Sequence, residues 1–216
     1  MRTISKYMLR AVFACTLATF CSLNTASESD TARGEHLLAF VGQKIRLSEQ
    51  KTAKCSNCIV MDSHYVATYR VLNIVYGIYR DDVISFDVYD HYGAPGFSQF
   101  DTVLLFVSRQ ADGKWMHEKY QFFDLYRGTD GQWYGCGDPY GGMRVPHRKV
   151  HARPVRFVEP VSYPLAALDR AQIERYYPAK YFKIRDGRAF CVLGTSVKDL
   201  FQAKKETVLT ARAIFK

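Results

Sequence analysis

Two cysteines separated by two residues, Cys55 and Cys58, and a scatter of imidazoles and carboxylates around the apolar runs that follow are the groups here best suited to chemistry. A C-x-x-C pair can work as a redox couple, because one thiolate attacks while the other resolves. That chemistry wants a helix opening at the first cysteine in a βαβ setting, and the flanking residues show no such pattern, so a structural disulfide is the preferred reading. A zinc ribbon needs a second C-x-x-C, whereas Cys136 and Cys191 stand 55 residues apart. Asp62, His64, Asp90, His91, His117 and Glu118 are the best material for a metal site, since neutral imidazole and carboxylate suit zinc and similar ions. None has a diagnostic spacing such as His-Glu-x-x-His, so Asp62, His64, His91, His117 and Glu118 stand as candidates and no metal is assigned. His147 and His151 would share a helical face, but Arg148, Lys149, Pro146 and Pro154 oppose both the helix and a bound cation.

Nucleophilic catalysis has no motif here. There is no Gly-x-Ser-x-Gly, and no Gly-rich loop followed by Lys-Ser or Lys-Thr. The glycine-rich stretch Gly135 to Gly142 carries Asp138, which would repel phosphate. No cofactor is expected, and the catalytic set is empty.

Binding is better supplied. Tyr76, Tyr79, Tyr89, Tyr92, Phe97, Tyr120, Tyr126, Trp133, Tyr134 and Tyr140 give the chain many rings with polar tips. Such rings anchor protein interfaces. On OB-type barrels they also stack bases or sugars. The residues expected to bind are Tyr92 and Tyr140 with the basic set Arg144, Arg148, Lys149, Arg153 and Arg156.

The elements that must position these groups follow from composition and period. Residues 1–26 read as a secretory signal: Arg2, Lys6 and Arg10 without an acid, an apolar run of 13 residues from Ala11 to Leu23, then small residues for cleavage near Ala26. The run is shorter than the roughly 20 residues that cross a bilayer. A periplasmic or secreted product is expected, with no stable membrane insertion after cleavage. Cleavage removes three of the 30 basic residues and none of the 21 acidic ones, leaving +6. From Glu28 to Pro139 there are 11 basic and 15 acidic residues; from Tyr140 to Lys216 there are 16 and six. That asymmetry suits an acidic partner for the second half, or a basic face complementing the protein's own acidic half. In an exported chain the four remaining cysteines predict two disulfides with three possible connectivities. Cys55–Cys58 with Cys136–Cys191 is favoured because the first two are already neighbours.

His36 to Leu47, Tyr65 to Val75, Val83 to Asp90, Thr102 to Val107 and Trp115 to Arg127 read as strands. They are apolar, β-branched or aromatic runs punctuated by Tyr76-Gly77, Arg80-Asp81-Asp82, Ala94-Pro95-Gly96 and Asp112-Gly113. Gly42 marks a bulge or a close backbone approach. Tyr120, Phe122 and Tyr126 alternate against His117, Lys119, Gln121 and Phe123. Asp130-Gly131 turns into a further strand, Gln132 to Tyr134. Strands at this spacing without intervening helices predict a mainly β, antiparallel OB-like barrel over residues 36–140. A basic α+β segment, 141–216, should pack on it. It comprises a helix capped by Asp169 and Gln172, a hairpin around Asp186-Gly187, a helix capped by Ser196, and Val208 to Phe215 as either a strand or a helix extension.

The order of motifs, Phe40-Val41-Gly42, then Val71-Leu72-Asn73-Ile74-Val75 with Tyr76-Gly77, Asp82 to Phe86, and Phe97 or Phe100 ahead of Leu104 to Ser108, resembles the netrin-like or tissue-inhibitor-of-metalloproteinase-like barrel of exported bacterial proteins. The likeness spans about Phe40 to Tyr134 and implies an OB-type five-stranded barrel. Inhibitors of that family chelate a protease zinc through a cysteine at the mature N-terminus. Here the first mature cysteine would be Cys55, so no functional residue is carried over. The function expected from the whole reading is a non-enzymatic, inhibitor-like or immunity-type module recognising a protein partner in the envelope or outside the cell. The alternatives are a metal-dependent hydrolase using the Asp/His set and a binder of acidic polymers or glycans.

Overall fold

Five strands close into a barrel in the computed structural model, which describes residues 36–51 and 61–215. They are β1 (Leu37–Gln50), β2 (Ser63–Tyr76), β3 (Val83–Asp90), β4 (Thr102–Arg109) and β5 (Trp115–Asp124), in spatial order β1-β2-β3-β5-β4. The expected signal segment and the Cys55–Cys58 pair lie outside the described residues. Closure depends on β1 serving two neighbours. It pairs with β2 from Ala39↔Tyr76 to Gln50↔His64, while its first half pairs with β4 from Leu37↔Ser108 to Gln43↔Thr102. The ring is antiparallel except where β3 meets β5, a parallel contact at Asp87↔Met116.

Period-two alternation builds the interior. In β3, Ile84, Phe86 and Val88 point inward, and they meet Leu38, Phe40, Ala67, Tyr69, Phe97, Val103, Leu105 and Val107. Gly42 sits at a register shift in β1, where an added Cβ would come within 2.8 Å of the Phe40 ring. Gly77 turns the chain out of β2 with φ of 87°, and a Cβ there would strike the Leu37 carbonyl oxygen. Tyr69 is wholly buried, and among the described residues its hydroxyl has no hydrogen-bond partner. An unmet buried hydroxyl costs about 1–3 kcal/mol. Tyr69→Phe is therefore expected to leave stability unchanged or raise it by about 1 kcal/mol, read from the denaturant midpoint.

The first six residues of β1 and of β4 are buried on both faces, which is why Val103 to Val107 is uninterruptedly apolar. Their outer faces (Leu37, Ala39, Val41, Leu104, Phe106) are covered by Leu200 and Leu209 from the C-terminal helix and by Ile214 just beyond it. That helix, designated α2 (Val197–Lys204), starts at Ser196, whose hydroxyl accepts from the Asp199 amide, and runs on through a π-wound turn at Lys205–Leu209. Of the two expectations for Val208 to Phe215, helix extension holds for its first residues. An earlier helix, α1 (Arg170–Tyr176), carries the expected capping box between Asp169 and Gln172.

The remaining chain forms two small sheets. One has the order β6 (Tyr126–Arg127), β7 (Trp133–Cys136), β12 (Leu193–Ser196), β8 (Arg153–Pro154); the other β10 (Phe182–Arg185), β11 (Arg188–Cys191), β9 (Ser162–Pro164). The barrel therefore ends at Asp124, not at residue 140. Residues 126–136 pair with strands from the end of the chain, because a short strand next to a closed ring must find its hydrogen bonds elsewhere. The Cys136–Cys191 disulfide, one of the favoured pairs, joins β7 to β11 with Cα atoms 6.0 Å apart. Among the described residues no helix is long and apolar enough to cross a membrane.

Candidate functional site

One rim of the barrel gathers most of the residues singled out for chemistry, in an arrangement suited to contact. β2 opens and β3 ends side by side, with Ser63↔Asp90 and His64↔Tyr89 as cross-strand pairs. The His64 and Tyr89 rings stack at 4.6 Å. Past the end of β3, Asp90 Oδ1 accepts from the Tyr92 amide at 2.9 Å. This local turn throws Tyr92 outward, leaving it 84% exposed.

The adjoining part of the rim comes from a bulge in β5. Its pairing with β4 jumps from Val107↔His117 to Leu105↔Phe122, so that four β5 residues, 118–121, face Phe106 alone. Within the bulge Tyr120 has φ of 66° and is 45% exposed. A bulky residue in left-handed backbone is an outlier; bulges commonly re-aim side chains near functional sites. The alternation expected for Trp115 to Arg127 therefore breaks at Tyr120. The Tyr92 and Tyr120 rings lie 6.1 Å apart, His91 is edge-on to Tyr92 at 5.2 Å, and Lys119 Nζ stands 5.4 Å from the Tyr120 ring centroid. Met61, 66% exposed, adjoins through its carbonyl, which accepts from His91 Nδ1 at 2.7 Å.

The bulge is held from beneath and from both flanks. His117 Nε2 donates to the Gln121 carbonyl at 3.0 Å, and Lys204 Nζ donates to Gln121 Oε1 at 2.9 Å. Arg212 reaches Glu118 Oε2 and the Lys119 carbonyl, both at 2.8 Å. Ser108 donates to Glu118 Oε1 at 2.5 Å, and Lys119 donates to Asp62 Oδ2 at 2.6 Å. Burial lowers Lys204 to about 8, with Arg212 adding repulsion.

Each of the metal candidates has a partner of its own. Asp62 is taken by the Lys119 ammonium, with His91 3.7 Å away. His64 Nε2 lies 2.7 Å from Asp87 Oδ1, Glu118 is paired with Arg212, and His117 is inside the barrel against Phe97 at 4.7 Å. They form separate pairs, and among the described residues no group of three His, Cys, Asp or Glu could hold a metal ion. The basic set is also dispersed. Arg148 grips Asp138 at 2.9 Å and lies over the Tyr140 ring, and Lys149 is 3.8 Å from Glu206. Tyr140, expected to bind, is buried: its hydroxyl donates to Glu206 at 2.9 Å and accepts from the Val150 amide at 3.1 Å. Arg144, Arg153 and Arg156 are exposed. Tyr120 was legible only as a strand residue, because nothing local to it marks the left-handed turn.

Burial pushes His117 down to about 4, and the nearby Arg212 charge adds to this against the opposing hydrogen bond to Gln121. The folded state thus resists a proton that the unfolded chain accepts near its ordinary 6.5. Stability from this group is intact above pH 6.5 and drains away as pH falls towards 4. His117→Gln is expected to flatten that part of the stability–pH curve, measured by urea unfolding at pH 7.5, 5.5 and 4.5.

Compared with known proteins, the chain matches no family model, no curated protein and no solved structure.

Proposed function

We propose that this protein is an exported, non-enzymatic binding module of the inhibitor or immunity type, recognising a protein partner through the Tyr92–Tyr120 rim. The observation that carries the reading is Tyr120. A large ring is held outward on left-handed backbone by a set of buried and charged contacts, beside a second ring that is almost fully exposed. Strain of this kind persists where surrounding structure enforces it, typically at functional sites. Tyrosine and methionine are among the residues enriched at protein-interface centres, and Tyr92, Tyr120 and Met61 supply them here. Export is supported by the Cys136–Cys191 disulfide and by the basic, then apolar, N-terminal sequence. The netrin-like kinship remains part of this proposal on the order of its strand motifs.

The candidate metal ligands are engaged with partners of their own, His64 with Asp87, Glu118 with Arg212 and His117 with the Gln121 carbonyl, and Lys119 already supplies the positive charge at Asp62. This favours recognition over metal-assisted hydrolysis. The test is affinity capture from envelope extracts with the wild-type protein and Tyr92→Ala. A partner retained at moderate salt by the first and lost by the second is the expected result. Equal capture by both overturns the reading, and capture that collapses with salt on both would point instead to Arg144, Arg153 and Arg156 and an acidic polymer.

A further inference from the structure

Asp124 ends β5 at the seam between the barrel and the small sheets. It is a half-buried carboxylate whose Oδ2 accepts from the Tyr163 hydroxyl at 2.6 Å. Among the described residues no Lys, Arg or His reaches ion-pair distance of it. A partly buried charge left without an opposite charge is unfavourable unless something supplies one.

The carboxylate lines a cavity of about 260 Å³. Tyr163, Tyr176, Tyr177 and Phe182 wall one side, with Tyr163–Tyr177 and Tyr177–Phe182 ring centroids 5.4 and 5.0 Å apart. Facing them is the glycine-rich loop that the sequence left without a role. Gly137, Gly141 and Gly142 have φ of 91°, 59° and 79°, and a Cβ at Gly137 would press on the Phe182 ring at 3.2 Å. The other charges at the border are committed or peripheral: Asp138 is paired with Arg148, and Arg175 is exposed and lies over Tyr176. Tyr163 is held as a neutral donor, raised by burial first and by Asp124 second.

We propose that this cavity binds a primary ammonium group, carried by a small free amine or by a lysine side chain, with Asp124 as its counterion and the tyrosine rings around its methylenes. An ammonium completes the missing ion pair and gains attraction from the ring faces. A neutral guest leaves Asp124 unpaired, and an anion is repelled. A concave site with an aromatic wall and a few placed polar groups is the usual form of a small-ligand site, and here four rings stand against a glycine-rich loop with Asp124 between them. The site is separate from the Tyr92–Tyr120 rim and does not depend on that reading.

Titration calorimetry of the full protein tests it, with n-pentylammonium, Nα-acetyl-lysine methylamide and pentan-1-ol as probes. Saturable binding of one or both ammonium probes and none of the alcohol is expected. A preference for pentylammonium indicates a free amine, and a preference for the lysine amide indicates a polypeptide side chain. Asp124→Asn should weaken binding at least tenfold, about the effect of losing one charged contact. Tyr176→Ala should weaken it roughly three- to tenfold; its ring is 53% exposed, so this variant folds even if Asp124→Asn does not. Equal binding of the alcohol, an undiminished affinity in folded Asp124→Asn or in Tyr176→Ala, or no heat from either ammonium at about 20 mM, far above the ~1 mM scale of weak sites, overturns the proposal.

Discussion

Replacing Tyr120 with glycine is expected to leave the protein as stable as before, or more so, while weakening the proposed partner contact tenfold or more. Tyr120 has φ of 66°. A non-glycine residue confined to such a region costs about 1–3 kcal/mol. Glycine adopts it freely but loses roughly 0.5–1 kcal/mol to its greater unfolded freedom. The balance is a change between zero and about 2 kcal/mol in favour of folding. The bulge survives, because its anchors act through Gln121, Glu118 and the Lys119 carbonyl, not through the Tyr120 ring. The ring itself is what a partner would touch, and loss of a central tyrosine typically weakens an interface by tenfold or more. Urea unfolding beside capture of the partner separates the two effects. A destabilised variant that still binds would show that Tyr120 serves the fold and nothing else.

Converting Cys136 and Cys191 together to serine should cost about 4 kcal/mol, the chain-entropy value for opening a loop of this length. The two cysteines are 55 residues apart, and the bridge joins two sheets that share no strand. The C-terminal lobe has its own small core of Leu165, Tyr181, Phe182 and Ala189, far fewer buried residues than the barrel interior. Loosening should therefore begin there, while the ring closed by β1 and β4 remains. At roughly 2–4 °C per kcal/mol for a protein of this size, the melting temperature is expected to fall by about 10 °C. Calorimetry with reduced wild type as a parallel sample checks it. An unchanged melting temperature would mean that the sheets are held by packing alone.

Both predictions depend on features of different visibility in the sequence. Most barrel strands were readable because they alternate or are apolar over a run of near neighbours: Val83 to Asp90 falls at its expected bounds, and Val103 to Val107 is apolar because helix α2 covers its outer face, whereas the alternation of β5 breaks at Tyr120. The caps at Asp169 and Ser196 were equally plain, since a cap and its partner lie within three residues. The domain boundary was misplaced. Residues 126–136 look like a continuation of the barrel, and only the distant strand Leu193–Ser196 reveals where their hydrogen bonds go.

The site followed the same division. Tyr92 was singled out by residue type, as a ring with a polar tip. Tyr140 was singled out on the same grounds yet lies buried, because Glu206, 66 residues away, receives its hydroxyl. His117 and Asp62 looked like ligands, but one is walled in by Phe97 and the other is met by Lys119 from 57 residues away. Local patterning alone determined that this chain makes a closed β structure with a basic appendage, because strand period, turn residues and helix caps act between near neighbours. Which rings face outward, which charges find counterions and which carboxylate is left without one were decided by contacts between residues far apart in the chain. Those contacts exist only once the ring has closed and the C-terminal helix has packed against it.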